Sequence, residues 1–310
     1  MDGVYYIEFF ETAVYENVSI LIATCPNSTS AYYKHNYINS LFSIPPSSLH
    51  LFQIFIKMPS KIYLVTGANR GLGLGLVKAL IARPSATVIA TVRTDDAAAT
   101  LKSEITIRDN NSILHILTLD FTTAIPPSQI QSSLAPLNIS HIDVLICNAG
   151  HIAPMHTALE TSASDLRASF ETNTIAPLLV FQACWPLLQS SPTGQPKAIM
   201  LSSSVGSITS QEPFPGGAYG ASRAAGNWLT RALHLQNEES GLVAVALHPG
   251  WVKTRAGEFA ASEWGVGEMG EKFMVSVEES VRGMLAVIDG ASRETVSGRF
   301  VSYTGDVLEW

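Results

Sequence analysis

Ile62-Tyr63-Leu64-Val65-Thr66-Gly67-Ala68-Asn69-Arg70-Gly71-Leu72-Gly73 is the stretch on which the fold turns. Four apolar residues ending in Thr-Gly read as a buried strand that enters a tight turn. From there Leu72, Leu76, Ala79 and Leu80 recur at helical spacing until Pro84 stops the pattern, so a helix over 72–82 is expected. Strand, glycine turn and helix in that order aim backbone N–H groups at one point, at the positive end of a helix. Glycines there let the chain approach a diphosphate closely. The spacing is not Gly-x-Gly-x-x-Gly, because Leu76 stands where the third glycine would fall.

The same alternation continues downstream. Residues 87–92 are β-branched and apolar, and further apolar runs lie at 113–119, 142–147, 197–201, 243–247 and 299–303. Helical patterns separate them: one from about 127, a long one over 165–189 with Leu166, Phe170, Leu178, Phe181 and Leu188 on its apolar positions, then 218–237 and 277–288. Strands that are continuously apolar and alternate with helices belong to a parallel sheet covered on both faces. The expected fold is α/β, a single Rossmann-type doubly wound parallel sheet of about seven strands over residues 58–310.

Composition narrows the classes. The chain has 310 residues, 46% of them hydrophobic, with a mean hydropathy of +0.21, which suits a large core and excludes disorder. A net charge of −7 with dispersed Lys and Arg leaves no stripe for nucleic acid. Cys25, Cys147 and Cys184 are too few and too far apart for a disulfide framework or a zinc site, and they point to a reducing, cytoplasmic location. Residues 1–57 stand apart. Asp2, Glu8, Glu11 and Glu16 are the opposite of a basic signal-peptide start, and the uncharged run 49–56 is too short to span a bilayer. We read them as an extension, with Met58 as the functional start; the competing reading is a membrane-surface anchor around 51–56.

In such sheets ligands bind beyond the carboxyl ends of the strands. Those ends carry Thr66 to Gly73, Arg93, Asp120, Asn148 to Gly150, Ser202 to Ser204 and His248 to Thr254, the places rich in glycine, hydroxyl and amide. Arg93 follows the second strand, where an acid would bind the ribose hydroxyl of NAD; an arginine there, helped by Arg70 in the turn, suits the extra phosphate of NADP. On the helix from 218, Tyr219 and Arg223 are four apart and share a face. A permanent cation about 5 Å from a phenol favours the loss of its proton by on the order of 3 kcal/mol at an effective dielectric of about 20. His151 and His156 read as exposed loop histidines, and no third ligand accompanies them to make a metal site. Phe214, Trp251, Phe259, Trp264, Phe273 and Met274 gather in the two stretches that should cover the crevice, through lid packing or contact with an apolar substrate.

Thr66-Gly67 with Gly71 and Gly73, Asp120, Asn148-Ala149-Gly150, Asn173, Ser203, Tyr219 and Pro249-Gly250-Trp251-Val252-Lys253-Thr254 resemble, in order and spacing, the short-chain dehydrogenase/reductase family. Tyr63 to Gly67, Ala218 to Ser222 and Ser297 to Val301 are most similar to its fungal ketoreductases of the norsolorinic acid ketoreductase kind. The resemblance implies that Gly67, Asn69, Arg70, Gly71, Leu72 and Gly73 cradle the diphosphate of NADP, with Asp120 on the adenine and Asn148, Ala149 and Gly150 along the ribose. It implies that Pro249 and Gly250 line the cofactor site, that Thr254 with the backbone at Val252 fixes the carboxamide, and that Tyr219 and Arg223 face the nicotinamide ribose. Ser203, with Ser204 as the alternative, would hold a substrate carbonyl, Tyr219 would donate the proton and Asn173 would hold a relay water. The implied substrate is a small hydrophobic ketone, in secondary, polyketide-type metabolism, and the helices over 165–189 and from 218 are the faces through which relatives pair as homodimers.

Three positions depart from the family pattern. Arg223 stands where the family has lysine; it keeps the charge but cannot release a proton. Cys147 replaces an asparagine, and Arg255 follows Thr254 where relatives often carry an acid. Three functions therefore stay open: a ketone reductase, a non-redox cyclase or isomerase in the same pocket, and a nucleotide-binding pseudoenzyme.

Overall fold

The structure, a computed structural model, describes residues 60–107 and 110–310. The extension 1–57 lies outside the described residues. The chain lays down β1 (Ile62–Val65), α1 (Gly71–Ile81), β2 (Thr87–Val92), α2 (Asp95–Glu104), β3 (Ile113–Thr118), α3 (Pro127–Leu134) and β4 (Val144–Cys147). Then come α4 (Ala163–Phe170), a π-helical turn (Glu171–Ile175), α5 (Ala176–Gln189), β5 (Lys197–Leu201), α6 (Gly217–Gln236) and β6 (Val243–His248). The rest is α7 (Arg255–Glu263), α8 (Gly267–Glu271), α9 (Val277–Gly290), β7 (Phe300–Ser302) and β8 (Val307–Leu308).

One sheet holds all eight strands in the order β3-β2-β1-β4-β5-β6-β7-β8. Every pairing is parallel except the last, β7 with β8. The sequence reading of about seven parallel strands is thus extended by one short antiparallel edge. Because β1 has β2 on one side and β4 on the other, the chain reverses its direction of travel there, and a crevice opens at the carboxyl ends.

The side chains of β1 alternate between two cores, as strand geometry requires. Tyr63 and Val65 join Leu76, Leu80, Val88 and Leu285 on the face covered by α1 and α9. Leu64 faces the other way, with Ile89, Leu145, Ile130, Phe181 and Leu188 under α3 and α5. Each fully buried aliphatic side chain of this kind contributes roughly 1.5–3 kcal/mol. At the opposite edge from the crevice the buried Asp143 closes the sheet: its carboxylate accepts from Ile62 N (2.8 Å) and from the Ser191 hydroxyl (2.7 Å).

The long helix expected over 165–189 is interrupted. Glu171–Ile175 winds as a π turn between α4 and α5. The cause is in the sequence: Pro177 has no N–H to give the carbonyl of Asn173, its normal partner four residues back. Among the described residues no helix is long and apolar enough to cross a membrane.

Candidate active site

The glycine turn is built from two strands at once. Gly67 and Gly71 adopt φ of +67° and +51°, conformations that favour glycine. Asn148, at the end of β4, donates from Nδ2 to the carbonyls of Thr66 (2.8 Å) and Gly67 (3.0 Å), and Ala149 N donates to the Thr66 hydroxyl (3.0 Å). Asn148 and Ala149 therefore hold the turn in shape. Gly73 packs against it so closely that a Cβ there would lie 2.1 Å from the Gly67 carbonyl oxygen. The α1 N-terminus carries no side-chain cap and no acid in its first turn, so its free N–H groups present positive charge. Without a Cβ at Gly71, the space between the turn and Thr254 stays free. Arg70 and Arg93 are exposed, and among the described residues neither forms an ion pair. Turn, helix end and two free guanidinium groups fit the phosphates of a dinucleotide.

Asn69 and Leu72 are half-buried in the same turn. Asp120 is exposed just beyond β3, with Oδ1 accepting from Thr122 N (3.0 Å) and its hydroxyl (2.8 Å). After β6, the Pro249 carbonyl accepts from the Ser280 hydroxyl (2.6 Å), and Gly250 (φ +83°) passes under the Tyr303 ring. Val252 is buried and bridges to Val275, while the Thr254 hydroxyl accepts from Gly257 N (3.3 Å) and caps α7. This segment is fixed by its own bonds.

Arg223 reaches the carboxyl ends of β4 and β5 with Tyr219 beside it on α6. The Arg223 guanidinium carbon lies 5.1 Å from the centroid of the Tyr219 ring. Its Nη1 donates to the carbonyl of Leu201, the last residue of β5, at 2.7 Å. Its Nη2 lies beside Gly150, where a Cβ would come within 2.5 Å of it. Nε has no partner, although the residue is only 7% exposed. The cation is thus seated on the face of the ring and pinned between the ends of β4 and β5.

Of the three serines after β5, Ser202 is committed to Asn227 Oδ1 on α6 (2.6 Å). Ser203 is half-buried and caps a short turn, its Oγ accepting from Val205 N at 3.4 Å, so its own proton is free to donate. Ser204 N donates to Nδ1 of His248 (3.3 Å). Burial pushes that imidazole down to about 4, which keeps it neutral and able to accept. His248 is a support of the serine turn that the sequence reading left unassigned.

Asn173 is buried with its side chain fully used. Its Oδ1 accepts from His151 N (2.7 Å), and its Nδ2 donates to the His151 carbonyl (2.9 Å) and to the Ser222 hydroxyl (2.9 Å). Ser222 in turn donates to the Tyr219 carbonyl (2.7 Å). With the side chain so engaged, the group of Asn173 that faces a missing donor is its main-chain oxygen, because Pro177 has no N–H to give it. His151 is half-buried, and it acts through its backbone; His156 is exposed. Cys147 is buried, and burial drives its thiol far above the usual range, so it behaves as an apolar strand residue.

The aromatic residues divide. Trp264 stacks on Phe214 (5.3 Å between centroids) and meets Trp251 edge-on (5.6 Å), and its indole N–H donates to the Pro215 carbonyl (2.9 Å). Met274 is buried. These four are lid packing. Phe259 (37% exposed) and Phe273 (72%) stack on no other ring, and Phe214 keeps 41% of its surface open despite its stack.

Comparison with known proteins agrees with this geometry. The family model described as short chain dehydrogenase matches residues 61–263. A short-chain dehydrogenase of Pyricularia oryzae is 35% identical over 81% of this chain and 99% of its own length. A norsolorinic acid ketoreductase of Dothistroma septosporum is 34% identical over 80% of this chain and 92% of its own. Among solved structures, the NADPH-bound carbonyl reductase from chicken fatty liver is 36% identical with a TM-score of 0.70, over 82% of this chain and all of that one.

Proposed function

Because the chain belongs to the short-chain dehydrogenase family, we propose that it is an NADPH-dependent reductase of a hydrophobic ketone, in secondary metabolism of the polyketide type. The single observation that carries this reading is the buried Arg223 guanidinium seated on the Tyr219 ring at the carboxyl ends of β4 and β5. The fungal ketoreductase relative supports the substrate class, and the chicken carbonyl reductase supports the cofactor.

On this reading the glycine turn and α1 hold the diphosphate, with Arg70 and Arg93 on the additional phosphate and Asp120 at the adenine end. Pro249, Gly250, Val252 and Thr254 border the nicotinamide, which supplies a hydride when bound. Ser203 donates a hydrogen bond to the substrate carbonyl oxygen. Tyr219 gives that oxygen its phenolic proton, and Arg223 stabilises the negative charge left behind. Arg223 holds its proton throughout, so it orients and balances charge without passing protons on. Replacement of the phenol proton falls to solvent, through a water that the Asn173 main chain would hold. Phe259 and Phe273 offer the apolar surface a flat ketone needs.

The test is incubation of the full chain with NADPH and a panel of aromatic ketones, following cofactor absorbance. The expected result is ketone-dependent oxidation of NADPH that Tyr219→Phe abolishes. Tight NADPH binding without turnover, in the native chain and in Arg223→Lys alike, would favour the nucleotide-binding reading. Conversion of substrate at constant cofactor oxidation state would favour the non-redox one.

A further inference from the structure

The segment that leads from Ser203 toward Phe214 has little support of its own. Residues 208–214 are all exposed, Ile208 by 76%. Its far end is held by the lid, through the Trp264 indole on Pro215 and the Phe214 stack. Its near end is held by the last two residues of the chain. Ser207 donates its hydroxyl to the Glu309 carbonyl (3.0 Å), and the amides of Ile208 (3.0 Å) and Thr209 (2.8 Å) converge on the Trp310 main-chain oxygen. Ser207 Oγ also accepts from Ser210 N (2.9 Å), so the tail's grip passes one residue further along the segment.

The tail is itself seated firmly. β8 pairs antiparallel with β7, Phe300 opposite Leu308, and the Trp310 ring stacks on the buried Phe300 (6.0 Å between centroids, 21° between planes). An aromatic ring on a strand of the central sheet thus fixes two main-chain oxygens, and these hold the Ser207 hydroxyl and the two amides just downstream of the candidate serine. Two successive N–H groups on one acceptor form a contact that a tail resting passively on the surface does not need.

We infer that Glu309-Trp310 is a positioning element of the active site, the brace that sets the wall between Ser203 and Phe214 and thereby how a ketone is held. The inference rests on the reductase reading for its effect on turnover, while the brace itself is a property of the fold. Glu309 and Trp310 are positioning residues and touch neither substrate nor cofactor.

The experiment compares the full chain with a chain ending at Leu308, with Trp310→Ala and with Trp310→Phe, measuring amide hydrogen exchange, NADPH affinity by fluorescence, and ketone kinetics. Shortening should speed exchange at Ile208 and Thr209 by about tenfold or more. It should raise the ketone KM by about fivefold while NADPH affinity stays within about twofold. Trp310→Ala should follow the short chain, and Trp310→Phe, which keeps the stack, should restore both readouts. Unchanged exchange at those amides would overturn the inference, as would faster exchange with unaltered KM and kcat, or NADPH affinity falling in step with ketone binding. Should the full chain reduce no ketone, the reductase reading fails, and the exchange rates alone decide whether the tail braces the wall.

Discussion

Replacing Gly150 by alanine puts a methyl group where the structure has room for none. The added carbon would lie 2.5 Å from Arg223 Nη2 and 3.5 Å from Asn173 Oδ1. The first contact is about 1 Å inside van der Waals separation. At an exposed arginine the side chain would swing away at little cost. Arg223 is 7% exposed, with Nη1 on the Leu201 carbonyl at 2.7 Å and its carbon over the Tyr219 ring, so it can move only by giving these up. A hydrogen bond to a charged group is worth roughly 1.5–3 kcal/mol and a cation on a ring roughly 0.5–2. Partial loss of both, about 2–3 kcal/mol, registers as lost stability, while a guanidinium displaced by about 1 Å from its place beside Tyr219 predicts a fall in kcat/KM of about 100-fold. Steady-state ketone reduction measures it, with NADPH affinity and melting temperature as controls. The decisive arm is a double-mutant cycle: in the Arg223→Lys background, where no second guanidinium nitrogen meets the methyl, the same change should cost no more than about threefold. A Gly150→Ala enzyme within threefold of the native rate, or an equal loss in both backgrounds, would refute the coupling.

Arg223→Met should abolish turnover yet raise the melting temperature, since a buried cation without a carboxylate partner is replaced by a flexible apolar chain that carries no charge; a lowered melting temperature would contradict this. Gly73→Ala forces a carbon to 2.1 Å from the Gly67 carbonyl oxygen and 2.6 Å from Asn148 Nδ2, and overpacking of about 3 kcal/mol should appear as lost NADPH binding in a fluorescence titration. His248 binds its proton at about 4 in the folded chain against 6.5 unfolded, so its contribution is full above pH 6.5 and is lost as pH falls through about 4. Urea unfolding should therefore lose up to about 3 kcal/mol across that window, and His248→Asn should flatten the slope. Asp143→Ala strands Ile62 N in the buried edge away from the crevice, while the Ser191 hydroxyl keeps Thr193; it should cost about 1–3 kcal/mol of stability in denaturant titration and leave kcat and KM unchanged.

What the sequence made legible was the repeated unit. Strands at 87–92 and 197–201 agree with the structure residue for residue, because a buried parallel strand must be apolar throughout and its ends are marked by a change to polar residues. The helix over 165–189 shows the limit of periodicity. Its apolar positions persist through the π turn, and only Pro177, read for the donor it lacks, points to a break at Asn173. Other parts of the site could not be read from one position at a time. Asn148 looks like a ribose neighbour, yet its amide is engaged with the carbonyls of Thr66 and Gly67, a contact across 82 and 81 positions. Gly150 looks like a turn glycine, and its meaning comes from an arginine far along the chain. The tail's grip on Ser207 to Thr209 follows from β8, a two-residue strand too short to leave a pattern.

Arg223 is expensive for the fold, and that expense bears on function. Taking a guanidinium out of water costs several kcal/mol, and a carboxylate partner is the usual compensation. Among the described residues none pairs with it; it has one carbonyl, the face of one ring, and an Nε with no partner. Those contacts offset part of the penalty and leave the rest in the resting protein. A cation held short of negative charge binds most strongly whatever acquires that charge beside it. On the proposed reading those groups are the Tyr219 oxygen as its proton leaves and a substrate carbonyl oxygen held by Ser203. Stabilisation deferred to that moment lowers the barrier without tightening the ground state, which is the condition for raising kcat. A residue kept only to hold α6 against the sheet would have been served better by methionine or leucine.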